Sequence, residues 1–167
     1  LAGVRLPDRA TVGGTELVLN GAGIRTRFFV NVYVAGLYVA ERKTQPAELI
    51  AQAGPKRVAM TLLRELSAQT LVEALAEGMK ANNGEADLAK LKPQIDALTA
   101  TMLSIKEAKK GDTVALDFVP DAGTVVALNG KPLGQPIAGA ELYRALLRVW
   151  LGDAPVDATL KRGLAGG

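Results

Sequence analysis

The residues best suited to chemistry lie in one strand-like stretch near the N-terminus. Arg25, Arg27, Phe29, Asn31 and Tyr33 occupy alternate positions there. Because successive side chains of a strand point to opposite faces, these residues are expected to share one face. A planar guanidinium can hold a carboxylate through paired hydrogen bonds, and an amide and a phenol can add further ones. The pattern predicts the wall of a ligand-binding cleft.

The intervening positions of the same stretch are apolar. Val30, Val32 and Val34 are therefore predicted to fill the core behind the cleft. Thr61 lies on a later strand, on the face opposite to that strand's apolar residues. It is a further candidate for the cleft, because a hydroxyl can donate and accept hydrogen bonds.

Two features also have an ordinary structural interpretation. Arg25 and Arg27 are compatible with strand-edge arginines that pair with an acid or face solvent. Gly21-Ala22-Gly23 resembles the start of a dinucleotide-binding loop, but Thr26 stands where a further glycine is needed and no helix follows. These glycines are instead predicted to form a tight turn that leads into the strand.

The composition excludes several kinds of chemistry. The 167 residues contain no histidine and no cysteine, which excludes imidazole acid–base catalysis, thiol nucleophiles and thiolate metal sites. Acidic residues do not recur at metal-ligand spacing, and no cofactor is expected. The net charge is only +3, and without a dense basic block nucleic-acid binding is not expected. No run of about 20 apolar residues predicts a membrane span.

Hydrophobic periodicity predicts the elements that must position these residues. Strands are expected at residues 16–19, 24–40, 57–63, 113–119 and 124–128, the second being one long strand or a bent hairpin. Helices are expected at residues 46–53, 67–81, 88–105, 140–151 and 158–164, with a break or kink at Pro93. Trp150 is predicted in the core and Tyr143 at the surface. The order predicts a single α+β domain over residues 1–167, with a largely antiparallel sheet and helices on one face.

The strand motif resembles a known family. Gly21-Ala22-Gly23-Ile24-Arg25 and the run from Phe29 to Val39 are similar to the chalcone isomerase fold, most closely to its bacterial chalcone isomerase-like branch. Residues 64–68 with the helix that follows, and residues 151–162, are similar to that branch as well. The resemblance implies an open-faced β-sandwich, in which helices pack over a curved antiparallel sheet and leave a ligand cleft between them.

The resemblance implies two possible kinds of activity. The family contains isomerases that close a chalcone to a flavanone and non-catalytic relatives that bind fatty acids. Arg25 stands where the isomerases carry the arginine that steadies the substrate oxyanion, and Tyr33 stands where they carry a threonine that helps polarise the ketone. The other assisting polar positions fall near Ser67, Ala74 and Val149, so only the arginine survives. Such a loss removes much of the electrostatic stabilisation that this catalysis needs.

The leading hypothesis is a non-catalytic binding protein for a fatty acid or similar amphipathic carboxylate, with the head group at Arg25. One alternative is an isomerase or lyase that uses Arg25 and Tyr33 on a chalcone-like phenolic substrate. Another is a structural or partner-binding domain without a ligand, in which Arg25 is merely paired. The resemblance and the start at Leu1 lead us to expect a periplasmic or secreted protein whose signal peptide has been removed.

Overall fold

The computed structural model describes residues 1–167 and has one seven-stranded antiparallel sheet at its centre. The strands are β1 (Arg9–Val12), β2 (Thr15–Arg27), β3 (Val30–Val39), β4 (Lys56–Leu62), β5 (Leu66–Ser67), β6 (Glu107–Ala108), β7 (Thr113–Val119), β8 (Gly123–Leu128) and β9 (Lys131–Ile137). In the main sheet their order is β1-β2-β3-β4-β7-β8-β9, while β5 and β6 form a separate ribbon. The helices are α1 (Pro46–Ala51), α2 (Ala68–Asn82), α3 (Glu85–Lys90), α4 (Lys92–Leu103), α5 (Ala140–Leu151) and α6 (Ala158–Leu164).

The helices cover one face of the sheet, which curls into a half-barrel. Val58, Met60 and Leu62 of β4 belong to the same buried cluster as Trp150 of α5, so the main core lies between sheet and helices. A small second cluster around Tyr38 occupies the other face. The predicted α+β fold, with an antiparallel sheet and helices on one face, is confirmed.

The element predicted at residues 24–40, one long strand or a bent hairpin, is a hairpin of β2 and β3. Arg27 pairs with Val30, so only Phe28 and Phe29 remain in the turn. Their φ angles are +51° and +65°, and positive φ at both central residues is the mark of a type I′ turn. The sequence did not locate this turn within the segment, because Asn-Gly or Asp-Gly, the usual signal, is replaced by two aromatic residues.

A β-bulge next to the turn changes which side chains share a face. Arg25 pairs with Tyr33 and Thr26 pairs with Asn31, so Val32 is an extra residue on β3. On the side of the bulge away from the turn, Tyr33 faces the helices and joins the main core. Val32 packs partly against the same core. The prediction that all odd positions from Arg25 to Tyr33 line one face is wrong, because the turn and the bulge each reset the alternation.

The segment Gly21-Ala22-Gly23 lies inside β2 and does not form the predicted turn. Helix α6 packs directly on it, and a Cβ atom added to Gly21 would collide with the carbonyl oxygen of Gly163. The side chain of Asn20 also holds the end of α6, since its Nδ2 donates to the carbonyl of Leu164 at 2.7 Å. Glycine is needed here for close contact between backbones and not for a turn.

The boundaries of the other helices follow from local signals. The hydroxyl of Ser67 accepts a hydrogen bond from the amide of Thr70 at 3.1 Å and so caps α2, as predicted. The predicted break near Pro93 separates α3 from α4. Tyr143, expected at the surface, is buried and donates to the carbonyl of Leu116 at 2.6 Å, because α1 and α2 pack on α5 together with the sheet. None of the six helices has the length and hydropathy that a membrane crossing requires.

The close packing of α6 on β2 generates a first prediction. Gly21→Ala should lower the free energy of unfolding by about 2–3 kcal/mol, the upper part of the range for overpacked sites, because backbone atoms of α6 cannot move aside locally. Urea denaturation of parent and variant measures this difference.

Gly84→Ala is the matched control for this substitution. Gly84 has no positive φ, and an added Cβ would lie 3.4 Å from the carboxylate of Asp87, an ordinary contact. It should therefore cost clearly less, about 0.5–1 kcal/mol for the poorer helix cap. Equal losses in the two variants would contradict the packing role of Gly21.

Candidate ligand-binding site

A cavity of about 240 Å³ lies between the β2–β3 hairpin and helix α2, and ten of its fourteen lining residues are hydrophobic. Val30 and Val32 of β3 line it from the sheet side, Leu71 and Leu75 of α2 line it from the opposite side, and Val149 of α5 also lines it. No carboxylate is among the lining residues.

Arg25 is the most tightly positioned charge of the cavity. Its Nη1 donates to the carbonyl of Val156 at 2.6 Å and to that of Thr26 at 3.1 Å. The same nitrogen lies 4.0 Å from the carboxylate of Asp157, which itself accepts the amides of Thr26 and Leu160, both at 3.0 Å. Every contact of the guanidinium thus uses Nη1, so Nε and Nη2 remain free to donate. Arg25 is therefore held in place by the protein through Nη1 and can still donate to a ligand through Nε and Nη2.

Tyr33 supplies a neutral donor next to Arg25, its partner in the strand register. Its hydroxyl oxygen accepts a hydrogen bond from Nε1 of Trp150 at 2.9 Å, and its own proton has no acceptor within the protein. Burial raises the pKa of Tyr33 to about 12, although the Trp150 hydrogen bond and the charge of Arg25 act in the opposite direction. The phenol therefore stays protonated at neutral pH and can donate to a ligand.

Arg27 and Arg64 stand at the edge of the cavity, where both are exposed. Neither forms an ion pair or a side-chain hydrogen bond. The guanidinium carbon of Arg27 lies 5.2 Å from the ring centroid of Phe28, within the range of a cation–π contact. With Arg25 they give the cavity a net positive charge that favours an anion.

Three of the predicted site residues line the cavity, namely Arg25, Arg27 and Tyr33. The structure places Phe29, Asn31 and Thr61 outside it. Phe29 projects from the turn with its whole side chain exposed. Asn31 lies on the outer side of the hairpin and accepts the hydroxyl of Thr26 at 3.2 Å, because the bulge turns it away.

Thr61 lies outside the cavity for a different reason. It pairs with the hydroxyl of Thr113 at 3.0 Å, on the face of β4 opposite to the core. Sequence reasoning assigned the cleft to the more polar face of β4, whereas the helices cover the apolar face and the cavity lies beneath them. The correction has a simple physical cause, because burial of apolar side chains decides which face the helices cover.

Sequence reasoning missed Arg64 and the valines of β3 as cavity residues. The signal for the helical wall was present, since the predicted apolar stripe of α2 includes Leu71 and Leu75. Val30 and Val32 were assigned to the opposite core, and only the strand register places them in the cavity. The sequence around Arg64 does not indicate that this residue lines the cavity, because its position there depends on where β4 ends relative to the hairpin.

Residues 1–166 match the model of the chalcone isomerase-like family. The chain belongs to that family. Among solved structures, it is similar to a fatty-acid-binding protein of Arabidopsis thaliana, with 15% sequence identity, a TM-score of 0.73, and coverage of 98% of this chain and 92% of that one. No curated protein matches the sequence. The family predicted from the strand motif is confirmed, and the likeness to the Arabidopsis structure shows that the two share a fold.

Family membership directs attention to the positions where the resemblance placed assisting polar groups. Ala74 and Val149 line the cavity with hydrocarbon. Ser67 caps α2 and does not line the cavity. Of the positions named by the resemblance to chalcone isomerases, Arg25 and Tyr33 are therefore the ones that present polar groups to the cavity. Together they form a donor pair beside an apolar wall.

The buried phenol makes stability depend on alkaline pH. The unfolded chain loses the Tyr33 proton near its ordinary pKa of 10.0, whereas the folded protein keeps it to about 12. Between these values the unfolded state binds fewer protons, so the free energy of unfolding falls as pH rises, by about 3 kcal/mol from this group. The Tyr33→Phe variant should not show this contribution to the alkaline loss of unfolding free energy.

Urea denaturation at about pH 8 and about pH 11, where about half of this loss is expected, measures the effect in parent and variant. The variant should begin less stable, by about 1–3 kcal/mol at neutral pH, because Nε1 of Trp150 loses its acceptor. It should then lose less stability on alkalinisation. Identical alkaline losses in the two proteins would show that Tyr33 is not held protonated by the fold.

Proposed function

We propose that the protein binds a fatty acid or similar amphipathic carboxylate in the cavity, with the carboxylate at Arg25. The observation that carries this proposal is a set of unused donors beside an apolar wall. Nε and Nη2 of Arg25 and the hydroxyl proton of Tyr33 have no partner within the protein. A carboxylate has two oxygens and accepts from several donors at once, whereas a neutral ligand with a single acceptor would leave some of these donors unpaired.

The walls of the cavity support a hydrocarbon tail. Valine and leucine side chains from both the sheet and α2 face the same space, and burial of a methylene chain there is favourable by about 0.8 kcal/mol per CH₂. The fold likeness to a protein described as fatty-acid-binding agrees with this choice of ligand.

The size of the cavity supports a short or medium chain. Its volume of about 240 Å³ lies just below the range of roughly 300–1,000 Å³ that is usual for small-molecule pockets. A long chain would have to extend past Arg27 and Phe28 or displace side chains of α2. The proposal therefore favours a compact amphipathic carboxylate, or a longer one that is only partly enclosed. A periplasmic or secreted location stays a prediction.

Binding of dodecanoate tests the proposal. Arg25→Lys and Tyr33→Phe should each weaken it, and Arg25→Ala should raise the dissociation constant about ten- to a hundred-fold, the effect expected for a hydrogen bond to a charged group. Arg25→Lys should recover part of the affinity, because the ammonium keeps the charge but not the planar fork. Isothermal titration, with thermal stability measured on each variant, gives both quantities.

Two controls make this test specific. Tyr38→Phe removes a phenol on the opposite face of the sheet, whose hydroxyl donates to the carbonyl of Pro7, and should leave dodecanoate affinity unchanged. Dodecanol, which keeps the chain but lacks the charge, should bind the parent weakly and should respond little to Arg25→Lys. Folded Arg25→Ala protein that binds dodecanoate as tightly as the parent would refute the head-group assignment.

The alternative function for the same cavity is isomerase activity, which a direct assay of the protein tests. We expect no flavanone formation from a 2′-hydroxychalcone above the uncatalysed rate, because Ala74 and Val149 provide no polar group to stabilise an oxyanion. An absorbance assay with purified protein, followed by chiral chromatography of the product, measures this. Stereoselective flavanone formation that is lost in Arg25→Ala would establish the alternative instead.

A further inference from the structure

The tip of the β2–β3 hairpin is the most exposed apolar feature of the molecule. The side chains of Phe28 and Phe29 are 81% and 103% exposed, and Val30 beside them is 40% exposed. The remaining exposed large hydrophobic residues are Leu1 at the chain end and Leu103 at the end of α4. Two adjacent aromatic residues that are mostly exposed to solvent oppose the hydrophobic effect, so folding alone does not account for them.

The backbone of the turn makes this choice of residues more costly. Both phenylalanines adopt positive φ, a conformation that non-glycine residues with bulky side chains disfavour by about 1–2 kcal/mol each. Asparagine and glycine would suit a type I′ turn better. Local strain at an exposed loop is commonly associated with function, and here the strained residues are also those exposed to solvent.

The charges around the tip are positive. Arg27 directly precedes the two rings, and Arg64 also lines the cavity that the tip borders. Neither has an acidic partner, and residues 24–33 contain no Asp or Glu. Aromatic rings beside unpaired arginines match the two layers of an anionic bilayer surface, since the rings enter the acyl boundary while the guanidinium groups reach the head groups.

We propose that this tip, residues 27–30, docks the protein on membranes that contain anionic lipids. A protruding two-residue turn suits a deformable lipid surface better than a protein partner, because a standard protein interface buries about 800 Å² on each side. The tip is continuous with the cavity, since Arg27, Phe28 and Val30 also line it. Docking would place the cavity entrance at the bilayer, which, if the proposed function holds, is where a fatty acid partitions.

Vesicle co-sedimentation with the whole chain and no added fatty acid tests the docking surface. Vesicles of phosphatidylcholine with phosphatidylglycerol should bind the protein, and vesicles of phosphatidylcholine alone should bind it weakly. High salt should release it, because the attraction of arginines to head groups is screened. Phe29→Gly should reduce binding to the mixed vesicles about tenfold or more, the scale for one phenylalanine side chain removed from an apolar environment.

Phe29→Gly separates this proposal from the proposed function. Phe29 does not line the cavity, so the variant should bind dodecanoate in vesicle-free solution like the parent. Its fold should be retained, because glycine suits positive φ, and Phe29→Asn provides a second variant suited to that conformation. Leu103→Ser, which removes an exposed apolar side chain on α4, should leave vesicle binding unchanged.

Three results would overturn the docking proposal. The first is vesicle binding by Phe29→Gly that equals that of the parent, and the second is no preference for phosphatidylglycerol. The third is a dimer in light scattering that Phe29→Gly dissociates, which would show that a second copy of the chain covers the tip.

Arg27→Gln should weaken binding to the mixed vesicles while binding to pure phosphatidylcholine changes little, as expected if Arg27 contacts the anionic head groups.

Discussion

The structure depends on the contact between the backbones of β2 and α6. Gly21 and Gly163 leave no room for a side chain between strand and helix. At the end of this contact, Asp157 caps α6 through the amide of Leu160 and also accepts the amide of Thr26 on β2. One carboxylate therefore joins helix, strand and the segment before the helix. Removal of this carboxylate would leave the partly buried amide of Leu160 without its acceptor, so the arrangement is strongly specified.

This contact also determines how the site is built. The carbonyl of Val156 holds Nη1 of Arg25 only because α6 draws residues 156–157 onto the strand. The remaining nitrogens of the guanidinium stay free, next to a phenol that Trp150 holds in place from α5. Preorganisation of this kind reduces the conformational entropy that ligand binding would otherwise cost. The polar end of the cavity is therefore held by hydrogen bonds from other elements, while its apolar wall is formed by packed side chains.

The hairpin divides into two parts with different physical properties. Close to the core, Arg25 and Tyr33 are held by hydrogen bonds from other elements. Beyond the bulge, Arg27 and Phe28 contact mainly each other and the solvent. The bulge at Val32 separates these parts and turns the apolar residues Val30 and Val32 toward the cavity. A regular strand pair would have directed Asn31 there and made the wall polar.

The sequence alone determined the helices, the main strands and their order, the cap at Ser67, the break at Pro93 and the family, since these follow from periodicity, local hydrogen bonding and a contiguous motif. It also predicted Arg25, Arg27 and Tyr33, which line the cavity. Tertiary structure alone decided the cleft positions of Val30 and Val32, the exclusion of Asn31 and Thr61, and the role of Gly21. Each of these depends on a bulge, on which sheet face the helices cover, or on a helix distant in sequence. Strand alternation cannot reveal them, because a one-residue slip between strands reverses every side chain beyond it.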